Sequence, residues 1–92
     1  MRLDLFLKSS RLIPRRTLAQ EFCDAGLIDV NGVPARSSKE VKPGDTIAIR
    51  RRNRRTEVRV ESIPKTKQVS KGSAASLFTV LRDEGVVDDL LR

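Results

Sequence analysis

The 92-residue chain predicts an α+β domain: two short helices, then four or five short antiparallel strands, then a closing helix. Three observations carry this expectation. Apolar residues recur at helical spacing twice before Gly26, and turn signals follow at Asn31-Gly32 and Pro43-Gly44. Residues 56–63 then alternate apolar with polar, the period of a half-buried strand. Neither an internal repeat nor a second domain is visible, as the length leads one to expect.

Leu3, Phe6, Leu7 and Ser10 share one face of a first helix over Arg2–Ser9, with Asp4 complementing the dipole in its first turn. The second helix runs over Arg15–Ala25, where Leu18, Ala19, Phe22, Cys23 and Ala25 cluster opposite Thr17, Gln20, Glu21 and Asp24. Pro14 suits its first turn, and Gly26 its left-handed stop. Leu27–Val30 reads as a strand, Asn31-Gly32 as a hairpin turn, and Val33-Pro34-Ala35 as the return, with Pro34 marking an edge.

After the polar connection Arg36–Glu40, Val41 re-enters the core. Lys42-Pro43-Gly44-Asp45 then puts Pro and Gly where a type II turn needs them. Thr46–Arg50 is a strand with Ile47 and Ile49 inward. Arg50–Arg55 is the most basic run and turns at Asn53. Thr56–Ile63 returns with Val58 and Val60 inward. Residues 64–72 form a polar linker, and Ser73 caps a third helix over 73–85 in which Ala74, Leu77, Phe78 and Leu81 share a face. Residues 86–92 are an acidic-apolar tail.

Nineteen Lys and Arg against twelve Asp and Glu give a formal net charge of +7. The excess is uneven, because residues 1–81 hold 17 basic and 8 acidic side chains and residues 82–92 hold 2 and 4. Clustered arginines point to a polyanionic partner. Three of them, Arg11, Arg15 and Arg16, flank the bend between the two helices. At a helix start they oppose the macrodipole, so an anion is expected to meet them. The first 23 residues offer only Asp4 and Glu21 as acids, too few to pair Arg2, Lys8, Arg11, Arg15 and Arg16. Charge reversal at Arg16 is therefore expected to abolish binding to that anionic partner while the protein stays folded.

The functions excluded are as informative. With no histidine, no metal-ligand cluster, no phosphate-binding glycine loop and no serine beside a visible base, the chain is expected not to be an enzyme and to need no cofactor. One cysteine forms no internal disulfide, and Cys23 on the apolar face reads as a small buried hydrophobe. No apolar run approaches the ~20 residues that span a bilayer, so the expected setting is cytoplasmic, with no membrane partner. Phe6, Phe22 and Phe78, the only aromatics, all fall in apolar stripes. No platform for stacking unpaired bases is left, which favours recognition of folded RNA by shape and backbone.

Arg2-Leu3-Asp4, Phe6-Leu7, Arg16 with Ala19, Gly26, Val30-Asn31-Gly32, Val41 and Pro43-Gly44-Asp45 together resemble the S4 RNA-binding domain. Closer likeness to the ribosome-associated quality-control (RqcP) branch of S4 proteins, and to its heat-shock relative, lies in Ser10–Ile13, Arg15–Ala19 and Val41–Asp45. The resemblance implies an S4-like (αL) fold over residues 1–63, its helix pair packed on a small curved sheet. It also implies binding to rRNA and tRNA on stalled large ribosomal subunits that carry peptidyl-tRNA. There the family supports C-terminal alanine tailing of the nascent chain by a partner factor (RqcH-like). The free protein is expected to be a monomer.

The residues assigned to RNA are Arg2, Lys8, Arg11, Arg15, Arg16 and Thr17. Ser37, Ser38 and Lys39 are either a plain loop or a further phosphate contact beside the helix pair. Arg51, Arg52, Arg54 and Arg55 read as a hairpin tip that adds nonspecific attraction. Other readings stay open: a ribosome assembly or structural component, a heat-shock-type rescue factor, or a nonspecific polyanion binder that uses the Arg50–Arg55 run.

Overall fold

The computed structural model describes residues 1–64 and 74–85. Two helices, α1 (Leu3–Ser9) and α2 (Arg16–Asp24), precede a five-stranded antiparallel sheet. Its strands are β1 (Ile28–Val30), β2 (Val33–Pro34), β3 (Thr46–Arg51), β4 (Arg54–Val60) and β5 (Phe78–Gly85), in spatial order β2-β1-β3-β4-β5. The linker beyond residue 64 and the tail 86–92 lie outside the described residues.

The helix pair covers one face of the sheet. Leu3, Phe6 and Leu7 of α1, Ile13 of the connection, and Ala19 and Cys23 of α2 form one buried cluster with Ile28, Ile47, Ile49, Val58 and Val60. The apolar stripes expected of both helices thus meet the inward positions expected of the strands. Burying these side chains supplies most of the driving force, at roughly 25 cal/mol per Å² of apolar surface.

Both helices are followed by a residue in the left-handed region. At the end of α2 the Gly26 N–H donates to Cys23 O and the Leu27 N–H to Phe22 O, a Schellman arrangement with Gly26 at φ 75°. At the end of α1 the Arg11 N–H donates to Lys8 O, and Arg11 takes the left-handed position at φ 62°. A non-glycine residue there costs about 1 kcal/mol. Helix α2 begins at Arg16 with an extended Arg15 before it, so Pro14 stands ahead of the helix and not in its first turn.

Asn31 and Gly32, both at positive φ, form the expected hairpin turn, with Asp29 opposite Pro34 and Val30 opposite Val33. Lys42–Asp45 forms the type II turn: the Asp45 N–H donates to Lys42 O at 3.1 Å with Gly44 at φ 95°. Arg51 pairs with Arg54 across the β3–β4 turn, which places Asn53 at the tip.

The third helix expected over 73–85 is not formed. Ala75–Leu77 makes one 3₁₀ turn, and Phe78–Gly85 is strand β5, paired with β4 from Arg54↔Gly85 to Val60↔Phe78. Ala74 and Leu77 are buried as the helical spacing required. Beyond them, β-branched Thr79 and Val80 favour extension, and β4 would otherwise be an open edge with an unpaired backbone ladder. Tertiary pairing overrides the local helical period. A bulge at Leu81 shifts the register, since Glu57 pairs with Arg82 and Val58 with Val80, and Leu81 is left 47% exposed.

Candidate nucleic-acid interface

The buried carboxylate of Asp4 organises the helix pair. It is fully inaccessible. It accepts hydrogen bonds from Gln20 Nε2 at 2.9 Å, Arg16 Nε at 3.2 Å and the Leu5 N–H at 2.8 Å, and lies 3.3 Å from Arg2 Nε. Burial alone would raise its pKa. The hydrogen bonds from Gln20, Arg16 and the Leu5 N–H outweigh burial and hold the carboxyl below its ordinary value of 3.8. Asp4 thus does more than complement a helix dipole: it clamps α2 to α1 and fixes the aim of two arginines whose outer parts remain in solvent.

The anion that meets Arg16 is therefore inside the molecule. Charge reversal at Arg16 would set a second carboxylate against buried Asp4 and disturb the fold as well as any interface, contrary to the expected behaviour. The sequence held a signal for this clamp. Asp4 lies three residues before Leu7, on the side of α1 that carries the buried stripe, where a carboxylate must find donors.

The segment Ser37–Lys39 lies at the same end of α1. The Leu3 N–H donates to Lys39 O at 2.7 Å and the Asp4 N–H to Ser37 O at 3.1 Å, so those carbonyls cap the helix. The backbone of Arg2 also pairs in an antiparallel bridge with that of Glu40, whose carboxylate holds the N-terminal ammonium at 2.7 Å. Arg2, Arg16, Ser37, Ser38 and Lys39 consequently gather around one end of α1. Lys8 and Arg11 sit at its other end, and Arg15 precedes α2; all three are exposed, as is Thr17. Lys8, Arg11 and Arg15 have no ionic partner among the described residues.

The Arg51–Arg55 run divides. Arg51 Nη2 donates to Leu12 O at 2.9 Å, which ties the base of the β3–β4 turn to the loop beside Arg11. Arg54 pairs with Asp83 at 2.8 Å and Arg55 with Glu57 at 3.1 Å. Arg52 alone of the four has no recorded partner among the described residues. The strands thus occupy two of these arginines, and a third is turned toward the helix connection.

Burial pushes the Cys23 thiol up to about 11, so it stays protonated and inert. Among the described residues, no group of three or more His, Cys, Asp or Glu side chains gathers as a metal site would require. No helix there is long and apolar enough to cross a membrane.

Comparison with known proteins places this geometry. Residues 1–47 match the S4 domain. The chain is 46% identical to the RQC P-site tRNA stabilizing factor of Bacillus subtilis, over 91% of this chain and 95% of that one. Its fold matches the solution structure of hypothetical protein HP1423 with a TM-score of 0.78 and 37% identity, covering 91% of this chain and 100% of that one. It also matches the trimeric structure of Vibrio cholerae heat shock protein 15, with a TM-score of 0.77 and 27% identity, over 87% of this chain and 80% of that one. The chain belongs to the S4-domain family of RQC P-site tRNA stabilizing factors.

Proposed function

We propose that the chain binds rRNA and tRNA on large ribosomal subunits stalled with peptidyl-tRNA, and there supports C-terminal alanine tailing by an RqcH-like factor. The relatives named RQC P-site tRNA stabilizing factor motivate the tRNA half of this reading. The observation that carries it is the rim of Lys8, Arg11 and Arg15, which have no ionic partner among the described residues, beside arginines pre-aimed by Asp4. Arginine forks suit phosphate, and side chains whose aim is already fixed lose less entropy on binding. The protein acts as a monomeric clamp between RNA backbones and performs no chemistry itself.

Likeness to heat shock protein 15 supports a second reading, a heat-shock-type rescue factor that contacts rRNA alone. Co-sedimentation separates the two. Under the first reading, the protein is enriched on large subunits that carry peptidyl-tRNA, and Arg15→Glu abolishes that enrichment while the circular dichroism spectrum is unchanged. Equal binding to empty and tRNA-bearing subunits would favour the second. Undiminished binding by Arg15→Glu at moderate salt would sink both as assigned to this rim.

A further inference from the structure

The turn between β1 and β2 and the loop after it enclose an open groove of about 510 Å³, within the range of roughly 300–1,000 Å³ typical of small-ligand clefts. Its apolar lining is Val30, Val33, Pro34 and Ala35, and its polar lining includes Arg36, Ser38 and Lys39. Val33 is 63% exposed, the most exposed large hydrophobic residue among those described. The lining holds two cations and no acid, and neither Arg36 nor Lys39 has an ionic partner among the described residues.

The groove is preformed. Asn31, at the hairpin turn, donates to Asp45 Oδ1 at 3.1 Å and accepts from the Thr46 N–H at 3.0 Å, which anchors the turn to the start of β3. The Ala35 N–H donates to Ile28 O at 3.0 Å, and the carbonyls of Ser37 and Lys39 are fixed on α1. An apolar floor whose polar lining is two cations, Ser38 and Asn31, with no acid, fits an occupant that is flat and apolar at one end and anionic at the other. A nucleotide has that chemistry. The groove also adjoins the cluster of Arg2, Arg16 and Ser37–Lys39 through the backbone bonds to Leu3 and Asp4, so an RNA backbone lying on the helix pair would continue past it.

We propose that this groove takes one unpaired nucleotide of the bound RNA, its base against Val33 and Pro34 and its phosphate between Arg36 and Lys39. The inference rests on the RNA-binding reading and adds to it a local preference for a bulged or frayed position. It also modifies the expectation drawn from the missing aromatics, because the aliphatic side chains of Val33 and Pro34 receive the base in place of an aromatic ring.

Two hairpin RNAs test it, one fully paired and one with a single bulged 2-aminopurine, titrated into the isotope-labelled full-length protein. The bulged RNA is expected to bind about ten-fold tighter, with its fluorescence changed and the Val33 and Ala35 amide signals shifted. Val33→Ser should erase that difference while keeping affinity for the paired hairpin. Arg36→Ala should lower the salt slope by about one contact for the bulged RNA only.

Equal affinity of the two hairpins, with the paired one bound, would overturn the groove and leave the RNA-binding reading intact. Failure of both hairpins to bind would bring down both. If a peptide of the sequence Val86–Arg92 shifts Val33 and Ala35 where the bulged RNA does not, the groove belongs to an acidic segment and the proposal is wrong.

Discussion

The outer face of the sheet and the rim of the helix connection use their basic residues in opposite ways. On the sheet, Arg50 lies against Asp29, Arg55 against Glu57, Arg59 against Glu61 and Arg82 against Glu84. The strand register aligns Asp29, Ala48, Glu57 and Arg82 in one cross-strand row, with Arg50, Arg55 and Glu84 in the next. That face is neutralised by its own pairs. The rim keeps Lys8, Arg11 and Arg15 free of ionic partners among the described residues. Net charge says that a polyanion is attractive; the cations without ionic partners among the described residues are where the proposed function has it dock.

The cause of the difference is periodicity. Arg55 and Glu57, Arg59 and Glu61, and Arg82 and Glu84 are each two residues apart, which in a strand puts them on the same face. Helix neighbours lie three or four apart, and the acid four residues before Lys8 in α1 is Asp4. Asp4 is turned inward and held by Arg16 and Gln20, so it cannot neutralise Lys8. The rim stays positive because its nearest acid is occupied in the interior.

The largest effect should come from the interior member of this comparison. Asp4→Ala leaves Gln20 and the Leu5 N–H without their acceptor and two arginines without a counter-charge. The arginines are nearly half exposed, so solvent screens part of the loss, and about 2 kcal/mol of folding stability should disappear in a urea titration. Arg16→Glu should cost a similar amount and weaken ribosome binding as well. If it unfolds no earlier than the native protein, the clamp is wrong.

Asp4 also sets a pH dependence. Its folded pKa is depressed, so its contribution is complete above the unfolded value near 3.8 and is lost as pH falls through the lower folded value. The stability advantage of the native chain over Asp4→Asn should therefore shrink below about pH 4 and vanish in stronger acid. An advantage that grows with acidification would contradict the direction of the shift.

A smaller and opposite effect is expected at Arg11. Glycine relieves the left-handed backbone at φ 62°, so Arg11→Gly should stabilise the fold by about 0.5 kcal/mol after allowing for the more flexible unfolded chain, while weakening RNA binding. Thermal melts and a binding titration on the same variant check the pair of outcomes. Destabilisation would mean that the arginine side chain serves the fold. The smallest effect belongs to the sheet, where Arg55→Ala breaks one exposed pair and should move stability by less than about 0.5 kcal/mol.

Much of this architecture was legible in the residues. Both helices, the Asn31-Gly32 and Pro43-Gly44 turns, and the inward Ile47, Ile49, Val58 and Val60 follow from period and turn chemistry, which are local. The segment 73–85 was misread because Ala74, Leu77, Phe78 and Leu81 satisfy the helical period, whereas the decisive fact, an open edge on β4, depends on distant residues. The rim was readable as charge. The place of Asp4 on the buried side of α1 signalled that it needs donors, but which arginines go to the clamp and which to the loop tie was not readable, because Asp4 with Arg16 and Leu12 with Arg51 are 12 and 39 residues apart.

The central claim is that the rim, and not the basic sheet face, carries RNA binding. Two triple variants of equal charge test it directly on large ribosomal subunits over a salt series: Lys8, Arg11 and Arg15 to alanine, and Arg55, Arg59 and Arg82 to alanine. The rim triple should flatten the dependence of log K on log salt by about 2 to 3 units, while the sheet triple leaves the slope within about half a unit of the native value. Equal flattening by both, or a greater loss from the sheet triple, would contradict the account and return binding to net charge alone.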